Sequence, residues 1–286
     1  MLGRRGILRF LVGPPLVWLA LFFVVPVLLI GAYSFRAGSG VVGPDARWVP
    51  SLEQFAEVLG TPAFVRQLAF SVLIAAGVAS IATVLAYPIA YFLAFRAGRR
   101  ASLYLTLLLV PFAVSYLLRV MAWKLMLGPE GGINSLLAFI GLTDEPIQLL
   151  LYSRAAVVIT LVYVWVPFAA LPIYAAMQRI ERHQLEAAAD LGAAPWSRFW
   201  RITVPLSVPG IVATFFMVFI PSVGEYVTPG LVGGTEGIMY GNIIQGFFTR
   251  SANWPVGAAM AMTMLVLTLI VVVIGLRALN PRRVMP

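Results

Sequence analysis

Cysteine is missing from the 286 residues of this chain, histidine occurs once, at His183, and lysine once, at Lys124. The first absence excludes disulfides, thiolate metal sites and a cysteine nucleophile. A single histidine in a polar segment leaves no metal cluster and no Ser-His pair to build on, so no catalytic residue and no metal ligand is assigned. A phosphate-binding loop needs a lysine directly after its glycines. Lys124 instead follows Ala122-Trp123 in an apolar stretch, so the chain is expected to bind no nucleotide and no cofactor of its own. Charge is scarce as well. Only 11% of residues are charged against 61% hydrophobic, an apolar surface that no water-soluble core of this size could hide.

Six windows contain no Asp, Glu, Lys or Arg: residues 10–35, 67–95, 101–118, 155–178, 202–224 and 251–276. Each is about 18 residues or longer, enough at roughly 1.5 Å of rise per residue to cross a hydrocarbon layer. A transmembrane β-barrel needs alternating apolar and polar residues, and neither Phe22 to Ile30 nor Leu265 to Ile274 alternates. No short-period repeat is present, which excludes a solenoid. The expected architecture is all-α, a polytopic membrane protein with six transmembrane helices, residues 1–286 forming one transmembrane domain.

The basic residues set the orientation. With the N-terminus in the cytoplasm, thirteen of the twenty face inward: Arg4, Arg5, Arg9, Arg96, Arg99, Arg100, Arg179, Arg182, Arg198, Arg201, Arg277, Arg282 and Arg283. Five, Arg36, Arg47, Arg66, Arg154 and Arg250, fall outside. That bias recurs at every inner loop, so both termini are expected in the cytoplasm. It also accounts for the net charge of +9 as topology and contact with anionic lipid headgroups, with no nucleic-acid partner. The first apolar run is longer than a signal-peptide core and ends in Gly31-Ala32-Tyr33-Ser34-Phe35 without a cleavage pattern, so it is read as a retained helix.

Between the spans, the outer loop 36–66, with Gly38, Gly40, Gly43, Pro44 and Pro50, is expected to carry a short amphipathic helix near Leu52 to Leu59. A second outer segment, 127–153, turns at Gly128-Pro129-Glu130-Gly131-Gly132 and holds a helix over Ile133 to Leu142, too short to span. The inner loop 179–206 is the most informative. Leu185, Ala188, Ala189 and Leu191 oppose Arg182, Glu186 and Asp190 at helical spacing, giving a surface helix with one polar face. Gly192 suits a left-handed C-cap, and Pro195 begins a second short helix anchored by Trp196, Phe199 and Trp200. The small Ala187, Ala188 and Ala189 admit a close partner surface, and Pro205 and Pro209 bend the chain into the fifth span. The alternative is a connector lying on lipid with no partner.

Ionisable groups at membrane depth point to function, and Arg119, Lys124 and Glu225 lie there. Arg119 and Lys124 either line a pathway or snorkel to the interface. Glu225 follows Pro221-Ser222-Val223-Gly224, where helical regularity should be lost. Beside Tyr226 it is placed to receive an ammonium, helped by the aromatic face; otherwise it is solvated or paired with Arg119. Trp123, Trp165 and Trp254 belong to an interfacial belt, to packing, or to the pathway. His183 is solvated or part of a docking surface. The several midplane acids of a secondary transporter and the filter loop of a channel are not evident.

Glu186-Ala187-Ala188, three residues, Gly192, nine residues, Ile202, one residue and Val204-Pro205 together resemble the EAA signature of permease subunits of binding-protein-dependent ABC importers, with Val204 where Leu is usual. Ala187 to Ala193, Leu118-Arg119-Val120, Gly224-Glu225-Tyr226-Val227, Gly241-Asn242 and Asn253 to Ala259 are similar to the spermidine/putrescine branch, so the resemblance covers nearly the whole chain. It implies a type I ABC importer permease fold in a bacterial inner membrane. It also implies a second homologous permease, two ATPase subunits that carry ATP and Mg and grip the 179–206 loop, and an extracellular or periplasmic substrate-binding protein. The ATPase-coupling residues would then be Glu186, Ala187, Ala188, Asp190, Gly192, Ile202 and Pro205. Glu225, Tyr226, Trp123, Asn242 and Arg119 are the substrate-pathway candidates. The implied cargo is a small organic cation such as putrescine or spermidine, with an amino-acid-like solute as the alternative.

Overall fold

In hydrocarbon every backbone N–H and C=O needs an internal partner, so long apolar runs must form helices. The computed structural model describes residues 4–38, 49–143, 145–147 and 150–278, and no strand occurs among them. Gly40, Gly43, Pro44 and Arg47 of the first outer loop, and Arg282 and Arg283 at the C-terminus, lie outside the described residues. The chain is an all-α polytopic membrane protein whose described residues group into two compact units, Met1–Arg66 with Ile243–Leu267 and Gln67–Asn242 with Thr268–Pro286.

In the first unit, α1 (Arg4–Leu19), a π-helical turn (Ala20–Val24) and α2 (Val25–Ser34) make one apolar rod. The π turn has a local cause. Pro26 cannot donate to the carbonyl one turn back, and the Val25 N–H reaches Ala20 O, five residues away. From Leu11 to Tyr33 no residue is buried, the pattern of a helix solvated by lipid or a partner, and only Ser34 at its end is enclosed. The short outer helix α3 (Glu53–Gly60) forms where amphipathic spacing placed it, with Phe55 against Phe35, ring centroids 5.2 Å apart.

The second unit carries α4 (Pro62–Phe95) from Gln67 onward, α5 (Ala101–Leu109), α6 (Tyr116–Leu127), α7 (Gly132–Phe139) and α8 (Arg154–Met177). After these come α9 (Arg182–Asp190), α10 (Pro195–Arg198), α11 (Val204–Val223) and α12 (Val227–Val232). Two later helices, α13 (Tyr240–Thr249) and α14 (Trp254–Ala278), belong partly to each unit. Helices α8 and α11 pack closely through small residues, as membrane helices do when no hydrophobic effect drives them together. A Cβ on Gly210 would lie 2.6 Å from Ala176 Cβ and 2.7 Å from Pro172 O, and Thr214 Oγ1 donates to Ala169 O at 2.9 Å. Gly210→Val is therefore expected to cost about 1–3 kcal/mol by overpacking, read as a lower unfolding temperature in detergent.

One expectation fails in an informative way. Among the described residues five helices are long and apolar enough to span, and the sixth, expected as a continuous span over 101–118, is two pieces, Gly98–Ala113 and Tyr116–Phe139, bent by 85°. Pro111 removes a backbone donor, the chain tightens into a 3-10 turn over Val110–Ala113, and Val114 leaves it extended at φ −83°, ψ 138°. The fifth span also begins earlier than its uncharged window. Pro195–Val223 is one 29-residue apolar helix in which α10 runs into α11 through a second π turn, Phe199–Thr203, again two residues before a proline, Pro205. What periodicity marked as a second surface helix is thus the first turn of the span itself.

Candidate functional site: the inner elbow and the polar knot

The 179–206 loop is built around its glycine. Gly192 sits at φ +80°, a conformation that costs any residue with a Cβ, and ends α9 in a Schellman motif. Its N–H donates to Ala189 O at 2.9 Å and the Ala193 N–H to Ala188 O at 2.9 Å, so the carbonyls of signature Ala188 and of Ala189 are satisfied by the cap. No atom lies within 4 Å of a built Cβ, so backbone geometry alone demands glycine here. The turn presents Glu186, Ala187, Ala189 and Asp190 to solvent and leaves Leu191 89% exposed, while Ala188 is half-buried. Neither Glu186 nor Asp190 forms an ion pair among the described residues. His183 is exposed and lies 2.9 Å from Glu181.

Beyond the turn, Arg198 donates from Nη1 to Leu185 O at 3.3 Å, tying α9 to α10. Phe199 fixes that elbow to α4, its ring 5.8 Å from Tyr87 and 5.7 Å from Tyr91. Trp196 and Trp200 flank it and are 70% and 53% exposed. The predicted coupling residues therefore divide in two. Glu186, Ala187, Ala188, Asp190 and Gly192 form the exposed elbow, whereas half-buried Ile202 and Pro205 belong to the π turn and the start of α11.

At the far end of α11 the helix stops at Gly224, as expected, and Glu225 becomes the centre of a polar knot. Its Oε1 accepts the N–H groups of Tyr226, Val227 and Thr228 at 3.1, 2.8 and 3.3 Å, capping α12. Its Oε2 accepts the Tyr116 hydroxyl at 2.8 Å, and that hydroxyl also lies 2.6 Å from Thr228 Oγ1. Asn242 closes the other side, donating from Nδ2 to Tyr226 O at 2.6 Å and accepting the Met239 N–H at 3.0 Å. Gly241 is required there, since a Cβ would stand 2.8 Å from the carbonyl oxygens of Gly224 and Glu225. Gln67 Nε2 donates to Ile238 O, and Ser71 Oγ accepts the Tyr240 N–H at 2.7 Å, pinning the segment to α4.

Of the pathway candidates, Glu225, Tyr226 and Asn242 thus meet in one knot, and the first and last are engaged by backbone. Arg119 does not pair with Glu225; its guanidinium lies 4.3 Å above the Phe112 ring. Trp123 packs on Tyr163, ring centroids 5.2 Å apart. Tyr116 and Thr228 escaped sequence reasoning. Thr228 sits three residues after Glu225, the spacing of a cap, but Tyr116 is 109 residues away and carried no signal.

Residues 4–285 match the family described as binding-protein-dependent transport system inner membrane component. The spermidine/putrescine transport system permease protein PotB of Salmonella typhimurium (strain SL1344) is 35% identical over 264 residues, covering 91% of this chain and 90% of that protein. PotB of Escherichia coli (strain K12) is 34% identical over 264 residues, covering 91% and 94%. Among solved structures, a bacterial ABC transporter that imports the acidic polysaccharide alginate has a chain that superposes with a TM-score of 0.76. The identity is 18%, over 100% of this chain and 98% of that one, a likeness of fold.

Proposed function

The chain belongs to the family of binding-protein-dependent transport system inner membrane components, and from that premise we propose that it forms, with a second permease, the route by which a polyamine such as putrescine or spermidine is imported. It is a multi-pass inner-membrane protein and a non-catalytic subunit of an ABC importer. ATP and Mg belong to two separate ATPase subunits, and a binding protein delivers solute from outside. The arginine bias assigns both termini and the 179–206 loop to the cytoplasm.

The observation that carries this reading is the elbow. A capped, exposed helix is joined through the four-residue Gly192 turn, braced by the Arg198–Leu185 hydrogen bond, to a 29-residue span. A push on Glu186, Ala187 and Leu191 therefore turns α11 as a rigid lever and shifts the bundle between two packed states. The polyamine assignment is supported by the relatives over nine-tenths of the chain. Titrating diamines and triamines into the cognate binding protein, then measuring ATP-dependent uptake by the reconstituted complex, tests it. Binding of a polyamine and saturable uptake are expected. A binding protein that takes no diamine or triamine ends the cargo assignment, and solute flux through this chain alone in liposomes ends the ABC mechanism.

A further inference from the structure

Helix α6 does not take its direction from the backbone that precedes it. The 3-10 turn ends at Ala113, and Val114 and Ser115 both stand at ψ 138°, so the hydrogen-bond ladder of α5 does not run into α6. Ser115 gives the first turn no side-chain cap. Across the break Arg119 lies over the Phe112 ring at 4.3 Å, a face contact that tolerates sliding. A directional contact comes from the first residue of α6. The Tyr116 hydroxyl donates to Glu225 Oε2 at 2.8 Å and lies 2.6 Å from Thr228 Oγ1. Glu225 directly follows Gly224, the cap of α11, and α11 completes the 29-residue span that starts at the elbow. One carboxylate thus stands at the end of the lever and holds the start of α6.

We propose that Tyr116 is a positioning residue for transport: its bond to Glu225 makes α6 follow α11 through the cycle, with Val114 and Ser115 as the hinge that lets α6 turn independently of α5. This role presupposes that the elbow turns α11. It adds the link by which the stroke reaches a helix that the break has separated from its own span. With 12 residues α6 is about 18 Å long, so a turn of about 10° at Tyr116 carries its far end about 3 Å.

Tyr116→Phe in the reconstituted importer keeps the ring and removes the bond. ATP hydrolysis stimulated by the loaded binding protein is expected at the wild-type rate, while polyamine moved per ATP falls about fivefold, the ratio that one such hydrogen bond sets between docked and undocked α6. A purely structural role would lower both rates together and leave their ratio unchanged. Thr228→Val keeps the Glu225 bond and is expected to keep the wild-type ratio. Because the chain has no cysteine, Leu125→Cys and Ile220→Cys place spin labels on exposed positions of α6 and α11 alone. Their distance distribution, read by pulsed electron resonance with and without trapped ATP, is expected to stay narrow beside the native Tyr116 and to broaden with Tyr116→Phe. That readout needs no cargo, so it stands even if the polyamine assignment falls. An unchanged ratio or an equally narrow distribution in Tyr116→Phe overturns the proposal. A ratio that falls as far in Thr228→Val takes the role from the Glu225 bond and overturns it too. Normal transport by Gly192→Pro would instead remove the lever itself, and this link with it.

Discussion

Gly192→Pro is expected to abolish uptake while leaving the protein in the membrane at its normal level. Proline fixes φ near −65°, and residue 192 sits at +80°, so the Schellman turn cannot form. The substitution also deletes the N–H that donates to Ala189 O, and redirecting the chain strands the carbonyl of Ala188. Helix α9 would leave the elbow at a different angle, displacing the surface bearing Glu186 and Leu191 that is proposed to meet the ATPase. The spans are untouched because the glycine lies outside them. A graded series checks the cause. Gly192→Ala should cost about 1–2 kcal/mol at the cap and reduce transport partially, and Gly192→Asn should cost less, since asparagine tolerates the left-handed region. Uptake into cells, set beside membrane-fraction immunoblots and copurification of the ATPase, separates coupling from insertion. Wild-type transport by Gly192→Pro would remove the elbow from the mechanism.

Glu225→Ala carries the second large effect, which, unlike the loss of a simple cargo contact, falls on stability as well as on uptake. Four hydrogen bonds converge on this carboxylate. Charged acceptors contribute more than neutral ones, and losing this one orphans backbone donors of α12 along with the Tyr116 hydroxyl, for an expected cost of about 2–4 kcal/mol. An apparent unfolding temperature lower by about 5–10 °C should accompany the loss of uptake. Glu225→Gln keeps an acceptor for the backbone but loses the charge, and should fall about midway. Tyr116→Phe should cost about 1 kcal/mol, and the Tyr116/Glu225 pair should be non-additive because the two residues share one bond. If Glu225→Gln lowers polyamine uptake without moving the unfolding temperature, the carboxylate is a cargo contact and the capping role is secondary.

These two residues mark how far the chain could be read from its letters. Gly192 was legible, because a helix whose apolar face ends one residue before a glycine announces its own cap, and the Schellman bonds involve only residues 188–193. Glu225 was legible as a position, following a run of Pro, Ser and Gly that ends a helix, but not as a task. An ammonium site, a solvated side chain and a partner for Arg119 were all compatible with the sequence. The outcome, an acceptor for α12 and Tyr116, depended on where α6 begins. That in turn depended on the 85° break after Pro111, which an uncharged window from 101 to 118 concealed. Hydropathy registers whether residues are apolar and is blind to whether their backbone is continuous.

Composition and the spacing of uncharged runs were sufficient for an all-helical membrane protein, because hydrocarbon imposes the same backbone demand on every residue it surrounds. Folding in three dimensions assigned the partners. It joined Tyr116 to Glu225 across 109 residues, turned the presumed second surface helix into the root of a span, and set Arg119 over Phe112 with no ion pair among the described residues. Hydrogen bonds and ion pairs act over about 3–4 Å, and no rule of local sequence brings side chains that close when a hundred residues lie between them.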